Sequence, residues 1–277
     1  MSVKDNLEEP LLERLSATPT PNEATETQHS SKRKRNDEDE QSSKKVAKRQ
    51  KNKKDKAADD AVLDIEQGIN NAFSNMDSLL LADYIAQRTR LYEGDLSAVE
   101  LEDKYIPATT IQDTTSWDKP RTLDNLPGFL ERFSGNSTKL WSASKKNGAP
   151  HTIIISAAGL RAADVARVIR KFHTTDAKVA KLFGKHIKMK DAIKFLKSTR
   201  TGIAVGTAIR LKDLMDEGAL STERLERIVV DCSHIDQKKR GILEMRETHI
   251  PLTVFLGQKE FRKKYGAETG GIDLLFF

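Results

Sequence analysis

Three side chains that could bind a metal or take part in acid–base chemistry stand close together in the sequence, namely Asp231, Cys232 and His234. A structural zinc site takes four such ligands, and a catalytic site takes three with favourable spacing. No other Cys or His lies near them along the chain, and Cys232 is the only cysteine. We therefore predict a structural role for these residues, a buried Cys232 at a strand end, and no metal.

Two further kinds of catalytic site are missing from the sequence. The G-x-S-x-G turn that presents a nucleophilic serine does not occur. The GxxxxGK[ST] loop, whose backbone N–H groups and lysine hold phosphates, is also absent. Segment 135–139 contains suitable residue types, but in the wrong order and with no clear strand before it. The sequence therefore predicts no cofactor.

The elements that must position these side chains alternate between strands and helices from residue 151 onwards. The β-branched run Thr152–Ile155 predicts a buried strand, and the amphipathic stretch Leu160–Phe172 predicts the helix after it. Such alternation predicts a parallel sheet covered on both faces, with ligand-facing loops that begin at Ser156, Gly206 and Asp231. Further strands are predicted at 179–183, 203–205, 227–231 and 252–256, and further helices at 189–196, 208–215 and 236–247.

Composition divides the 277 residues into three parts. Residues 1–60 are predicted to be a disordered charged tail, because apolar residues are few and no aromatic residue occurs before Phe73. Residues 61–147 are predicted to form a helical and loop segment, beginning with a helical pattern over 61–92, that packs on or leads into the core. Residues 148–277 are predicted to form the α/β domain. No apolar run approaches the ~18 residues of a membrane span, so no membrane partner is expected.

The tail carries two basic clusters within residues 31–56, which hold 12 basic and 5 acidic side chains. This pattern predicts a nuclear localisation signal that an import receptor recognises. Two other interpretations stay open, a solvating charged tail and a segment that binds RNA or DNA phosphates without sequence choice. The signal residues are Lys32, Arg33, Lys34, Arg35, Lys44, Lys45, Lys48 and Arg49.

Three segments, each at the end of a predicted strand, resemble motifs of DEAD-box RNA helicases in order and spacing. Residues 204–215 resemble the TPGRLxDLL segment, 228–234 stand where the DEAD tetrad follows its strand, and 153–162 stand where the PTRELA segment occurs. The resemblance is to the first RecA-like domain of that superfamily and covers about residues 150–256. It implies an α/β fold, a single RecA-like three-layer domain with a parallel sheet.

The departures from the helicase pattern argue against ATP hydrolysis. The glycine loop is absent, and Asp231 is followed by Cys232, which cannot serve as the acid that polarises water beside a Mg²⁺-linked aspartate. In a helicase a second RecA-like domain completes the ATP site, and we expect no such domain after residue 256.

This combination identifies the sequence as a member of the Cms-one family of small-subunit assembly proteins, whose core is a degenerate DEAD-box-like domain. Membership implies a non-enzymatic protein of the early small-subunit precursor, the processome, in the nucleolus. The basic tail also fits the family. The segments that carry the resemblance are 96–101, 148–151, 156–164, 181–188, 205–207, 210–211 and 230–231.

The resemblance also indicates candidate contacts to RNA backbone or another polyanion. They fall after the first strand-end loop, after the second, and in a basic cluster within 181–188. Structural alternatives stay open: solvated cations throughout, helix capping by Thr207, and an ion pair between Arg210 and Asp213. The candidate contacts are Arg161, Lys181, Lys185, His186, Lys188, Thr207 and Arg210.

The sequence thus predicts a nuclear and nucleolar protein that acts as a non-catalytic assembly factor in early small ribosomal subunit biogenesis. Its expected partners are pre-ribosomal RNA, processome proteins and the import receptor. Two alternatives remain. The first is a residual nucleotide-dependent RNA remodeller that uses Asp231 and Mg²⁺. The second is a chromatin- or DNA-binding protein whose tail supplies general affinity.

Overall fold

A computed structural model describes residues 62–184, 187–267 and 270–277. Within them a five-stranded, fully parallel sheet has the order β4-β5-β3-β6-β7. The predicted tail and its localisation signal lie outside the described residues. The sheet strands are β3 (Thr152–Ile155), β4 (Lys178–Leu182), β5 (Thr201–Gly206), β6 (Arg227–Val230) and β7 (Asp273–Phe276), and a hairpin pairs β1 (Leu63–Asp64) with β2 (Ile69–Asn70).

The central strand β3 is buried along its whole length, as its β-branched residues predict. It pairs in register with β5 on one side and β6 on the other. Ile153 and Ile155 pack into the apolar cluster on one face of the sheet, and Ile154 packs into the cluster on the other. The sheet therefore separates two hydrophobic layers, and the predicted α/β fold class is confirmed.

Helices cover both faces of the sheet. The helical side chains in the cluster of Ile153 come from α1, α5, α6, α7 and α8, and those in the cluster of Ile154 come from α3 and α4. No helix in the described part of the chain is long and apolar enough to cross a bilayer. The helices are α1 (Ser78–Tyr92), α2 (Ala98–Lys104), α3 (Leu126–Arg132), α4 (Gly159–Val168), α5 (Met189–Ser198), α6 (Ala208–Asp216), α7 (Arg246–Leu256) and α8 (Lys259–Arg262).

Two expectations near the C-terminus are wrong. The helix expected at 236–247 is a series of turns as far as Met245, and only its last two residues are helical, as the start of α7. In these turns the Asp236 carboxylate accepts hydrogen bonds from two backbone N–H groups. The strand expected at 252–256 is the second half of α7, and the last strand is β7. The run Leu-Thr-Val-Phe-Leu has strand-type composition, but its buried residues continue a helical spacing that begins at His249.

The segment before the α/β domain also differs in part from expectation. The helical pattern expected over 61–92 is a helix only from Ser78, because β1, β2 and a short 3₁₀ turn precede it. Ser97 and Glu100 form a capping box at the start of α2, where the Ser97 Oγ accepts the Glu100 N–H and the Glu100 carboxylate accepts the Ser97 N–H.

A buried histidine makes the stability of this fold depend on pH. His249 on α7 is fully buried, with Nε2 2.9 Å from Thr89 Oγ1 on α1. Burial lowers the pKa of its imidazole to about 4. Because this value lies below the unfolded pKa of about 6.5, the unfolded chain binds the proton first. The free energy of unfolding therefore decreases as pH falls from about 6.5 to about 4.

We expect a His249→Gln variant to lose less stability than the wild type over this range, by about 1 kcal/mol per pH unit. Urea unfolding at pH 7, 6 and 5 measures the difference. His151, whose pKa burial also lowers to about 4, is unchanged in both proteins. The comparison therefore isolates His249, and equal pH slopes for the two proteins would contradict the prediction.

Candidate functional site

The candidate site lies at the carboxyl ends of the strands, where the chain connections reverse direction. From β3 the chain crosses through α4 to β4, and from β6 it continues through α7 to β7 on the opposite side of the sheet. In open parallel sheets, ligands bind in the crevice between two strands whose connections diverge in this way. Here that crevice lies between Ser156, after β3, and Asp231, after β6.

A bidentate ion pair occupies this crevice. Arg161 on the first turn of α4 donates from Nε to Asp231 Oδ2 at 2.8 Å and from Nη2 to Asp231 Oδ1 at 3.0 Å. The Asp231 side chain is 2% exposed and the Arg161 side chain is 12% exposed. Both carboxylate oxygens therefore face a guanidinium inside the protein. The Asp231 carboxylate is therefore paired with an arginine of the same chain.

A cavity lined by Ser156 is small, and neither Arg161 nor Asp231 is among its lining residues. This cavity has a volume of about 30 Å³ and lies between the loops after β3 and β5 and the start of α7, next to Ser156 and Thr207. A small-molecule site usually has a volume of about 300–1,000 Å³. The β1–β2 hairpin lies against the segment that follows Asp231, because Asn70 N–H donates to the Ser233 carbonyl and Ile235 N–H donates to the Gly68 carbonyl.

The segment 135–139, which the sequence excludes as a phosphate loop, lies at the opposite end of the sheet. Lys139 Nζ is 3.0 Å from the carboxylate of Glu226, the residue immediately before β6, whereas Asp231 follows β6. The outer edge of β7 is covered by Ile111, which forms a single parallel bridge with Leu274. Segment 135–139 therefore lies away from Asp231, at the other end of β6.

Cys232 is fully buried next to the ion pair, as predicted. Its thiol donates to the Phe277 carbonyl at a distance of 3.2 Å, and burial raises the thiol pKa to about 12. Burial lowers the pKa of the neighbouring His234, and Arg161 adds to this effect. The described residues contain no group of three His, Cys, Asp or Glu side chains arranged to hold a metal ion.

The structure brings part of the predicted basic set together. Arg210 on α6 donates from Nη2 to the Ile187 carbonyl at 3.3 Å, and its Nη1 lies 3.4 Å from Met189 Sδ. It therefore links the end of β5 to the segment just before α5, and no ion pair joins it to Asp213 in the described region. Thr207 precedes α6 without a side-chain capping hydrogen bond, so the capping alternative is wrong.

The remaining predicted contacts are placed as follows. Lys181 is exposed on β4, and Lys188 is exposed immediately before α5. Arg161 lies apart from them in the crevice, and its guanidinium is engaged by Asp231. Lys185 and His186 are outside the described residues.

Two features of the site are not predicted from the sequence. The partner of Asp231 is 70 positions away, and no local pattern reports the pairing. Phe195 is 37% exposed on α5, beside the open edge of the sheet. A signal for Phe195 exists in retrospect. Ala192, Ile193 and Leu196 already supply the inward face of α5, so a further apolar residue points elsewhere.

Comparisons with known proteins find a matching family model, relatives by sequence and similar solved structures. The family model "CMS1: U3-containing 90S pre-ribosomal complex subunit" matches residues 25–277. Protein CMS1 of Chaetomium thermophilum is 55% identical over 84% of this chain and 93% of its own length. Protein cms1 of Schizosaccharomyces pombe is 34% identical over 65% of this chain and 63% of its own length. A DEAD-box protein of Methanococcus jannaschii is similar in structure, with a TM-score of 0.34 and 16% identity, over 57% of this chain and 37% of that protein.

Proposed function

The chain belongs to the CMS1 family, and on this premise we propose that it is a non-catalytic assembly factor of the early small-subunit pre-ribosome. In this proposal it works in the nucleus and nucleolus by holding pre-ribosomal RNA, processome proteins or both. The description of the family as a subunit of the U3-containing 90S pre-ribosomal complex supports this role. The basic tail, with clusters at Lys32–Arg35 and Lys44–Arg49, would bind the import receptor.

The observation that carries the proposal is the Arg161–Asp231 ion pair in the crevice at the strand ends. A phosphoryl-transfer site needs a carboxylate that is available to Mg²⁺ and a glycine loop that holds the phosphates. In this chain the carboxylate is buried and paired, and the GxxxxGK[ST] loop is absent from the sequence. The strand-end geometry of the fold is therefore retained, whereas the groups that would bind and hydrolyse a triphosphate are missing or engaged.

For RNA contact, we propose two exposed lysines and one half-buried arginine near the ends of β4 and β5. Lys181, Lys188 and Arg210 are placed along one side of the sheet, and Thr207 adds a hydroxyl at the start of α6. Lys185 and His186 belong to the same proposed set by sequence, and Arg161 is a separate candidate contact in the crevice. Each phosphate contact to a single strand would add about −0.7 to the log–log slope of affinity against salt.

Two measurements test the function. Full-length protein with RNA and Mg²⁺ is expected to hydrolyse ATP at background rate, identical to that of an Asp231→Asn variant. Tagged protein from cells is expected to co-purify U3 RNA and small-subunit precursor proteins. Hydrolysis that Asp231→Asn abolishes would establish the RNA-remodeller alternative instead.

Deletion of residues 31–56, with import restored by an unrelated signal, separates the remaining alternative. The assembly role expects the deleted protein to keep its association with the precursor particle. Loss of all particle association, together with loss of DNA binding, would favour the chromatin-binding alternative.

A further inference from the structure

A groove of about 370 Å³ runs along the open edge of the sheet, and we call it the β4 groove. β4 is the outermost strand on its side and pairs only with β5 in the described part of the chain. The groove has walls on both layers of the domain, one from α5 and one from the segment after α4. It is lined by His173, Val179, Lys181, Ile187, Ala192 and Phe195, with Asp191 at the rim.

The floor of the groove offers backbone groups that another strand could pair with. The Lys178 N–H points toward β5 and donates to the Arg200 carbonyl. Backbone groups of successive residues point to opposite sides of a strand, so the N–H and carbonyl groups of Val179 and Lys181 point away from β5. His173 Nδ1 accepts the Val179 N–H at 3.3 Å. The Val179 carbonyl and the Lys181 N–H and carbonyl therefore remain as the pairing groups of this edge within the described residues. An edge of this kind takes up an extended peptide as an additional strand.

The side chains around these backbone groups are mostly apolar. Val179 is 8% exposed and Ala192 is 3% exposed, so they form a closed floor, whereas Phe195 is 37% exposed and stands at the side. Ile187 adds a partly buried aliphatic surface. An extended peptide with β-branched or aromatic residues at alternate positions would place every second side chain against this surface.

The charged side chains at the rim of the groove favour a partner with a negative charge. Residues 161–200 hold 12 basic and 3 acidic side chains. Lys181, Lys188 and Lys194 are exposed beside the groove and form no ion pair within the described residues, and Asp191 is the one acid among the lining residues. Rim charges of one sign steer and orient a partner of the opposite sign.

We propose that the β4 groove binds an acidic, extended peptide segment of a partner protein by strand addition. A peptide satisfies the Lys181 backbone groups, the apolar floor and the basic rim together, whereas RNA has no strand-type backbone to pair with the edge. This proposal deepens the assembly-factor role and rests on it for its biological setting, and it assigns Lys181 and Lys188 to a protein partner in place of RNA. The groove itself is tested without reference to the particle, so the failure of one proposal can be told from the failure of the other.

The test is selection of random heptapeptides displayed on phage against the full-length protein. We expect enriched peptides to be acidic with β-branched or aromatic residues at alternate positions. Fluorescence polarisation of the best peptide is expected to show binding at least tenfold weaker for Phe195→Glu. Val254→Glu serves as the matched control, since Val254 is 41% exposed on α7, and it should leave the affinity unchanged. N-methylation of the central backbone amides should weaken binding at least tenfold.

Three outcomes would overturn the proposal. The first is a selection that yields no peptide able to distinguish the wild type from Phe195→Glu. The second is a peptide whose affinity is insensitive to backbone N-methylation, because strand addition requires those amides. The third is a uridine 12-mer RNA that loses affinity in Phe195→Glu while the selected peptides do not, which would assign the groove to RNA.

Discussion

Replacement of Arg161 by methionine is expected to lower the free energy of unfolding by about 3 kcal/mol, because it leaves a buried carboxylate without its partner. The Asp231 side chain is 2% exposed, and within the described residues its two carboxylate oxygens accept hydrogen bonds from Arg161. Methionine keeps much of the aliphatic volume of the side chain, so the loss reports mainly on charge. Urea unfolding at pH 7 measures the effect.

The chain provides a matched control on the same helix. Arg167 pairs with Asp164 at the surface, where the two side chains are 75% and 43% exposed. Arg167→Met should therefore cost less than about 1 kcal/mol. Combining Arg161→Met with Asp231→Leu should recover most of the lost stability, since the unpaired charge is then removed. Equal losses for the two single arginine variants would contradict the view that the crevice pair is buried and coupled.

A Gly206→Ala substitution is expected to destabilise the protein by about 3 kcal/mol through overpacking. A Cβ at this position would lie 2.2 Å from the Leu182 carbonyl oxygen and 3.0 Å from Leu211 Cγ. Leu182 is the partner of Gly206 in the pairing of β4 with β5, so its carbonyl cannot move away without disturbing the sheet. Thermal and urea unfolding both measure the loss.

Gly218→Ala is the control for this prediction. Gly218 has a φ of +64°, and a Cβ there would meet nothing within 4 Å, so only backbone strain of about 1 kcal/mol opposes alanine. A loss for Gly206→Ala no greater than for Gly218→Ala would show that the two strands can separate locally. Close packing of β5 against β4 then accounts for the glycine at position 206, and a bound phosphate is not needed to explain it.

Local patterns are sufficient to predict most of the sheet. The β-branched residues of β3 and of β6, which ends just before Asp231, predict these two strands correctly. Each strand is buried on both faces, and its composition reflects this burial. The three strand-end loops also fall at one edge of the sheet, as parallel topology requires. The order of these loops along the chain is the order of the helicase motifs that they resemble.

The errors arise where composition and tertiary position disagree. The Leu252–Leu256 run is β-prone by residue type, but it is helical because its buried side chains line one face of α7. β7 follows a stretch with weak local signals and forms by pairing with β6. The Arg161–Asp231 pair depends on the fold bringing two distant segments together, so residue types can nominate either partner but cannot report the contact.

The burial of Cys232 has a practical consequence for mapping partners of this protein. The only cysteine of the chain is inaccessible, and its thiol has a pKa raised to about 12, so maleimide reagents find little thiolate at neutral pH. A cysteine introduced at a chosen surface position then becomes the sole reactive handle. Photo-crosslinkers or spin labels can be attached there without first mutating the native residue.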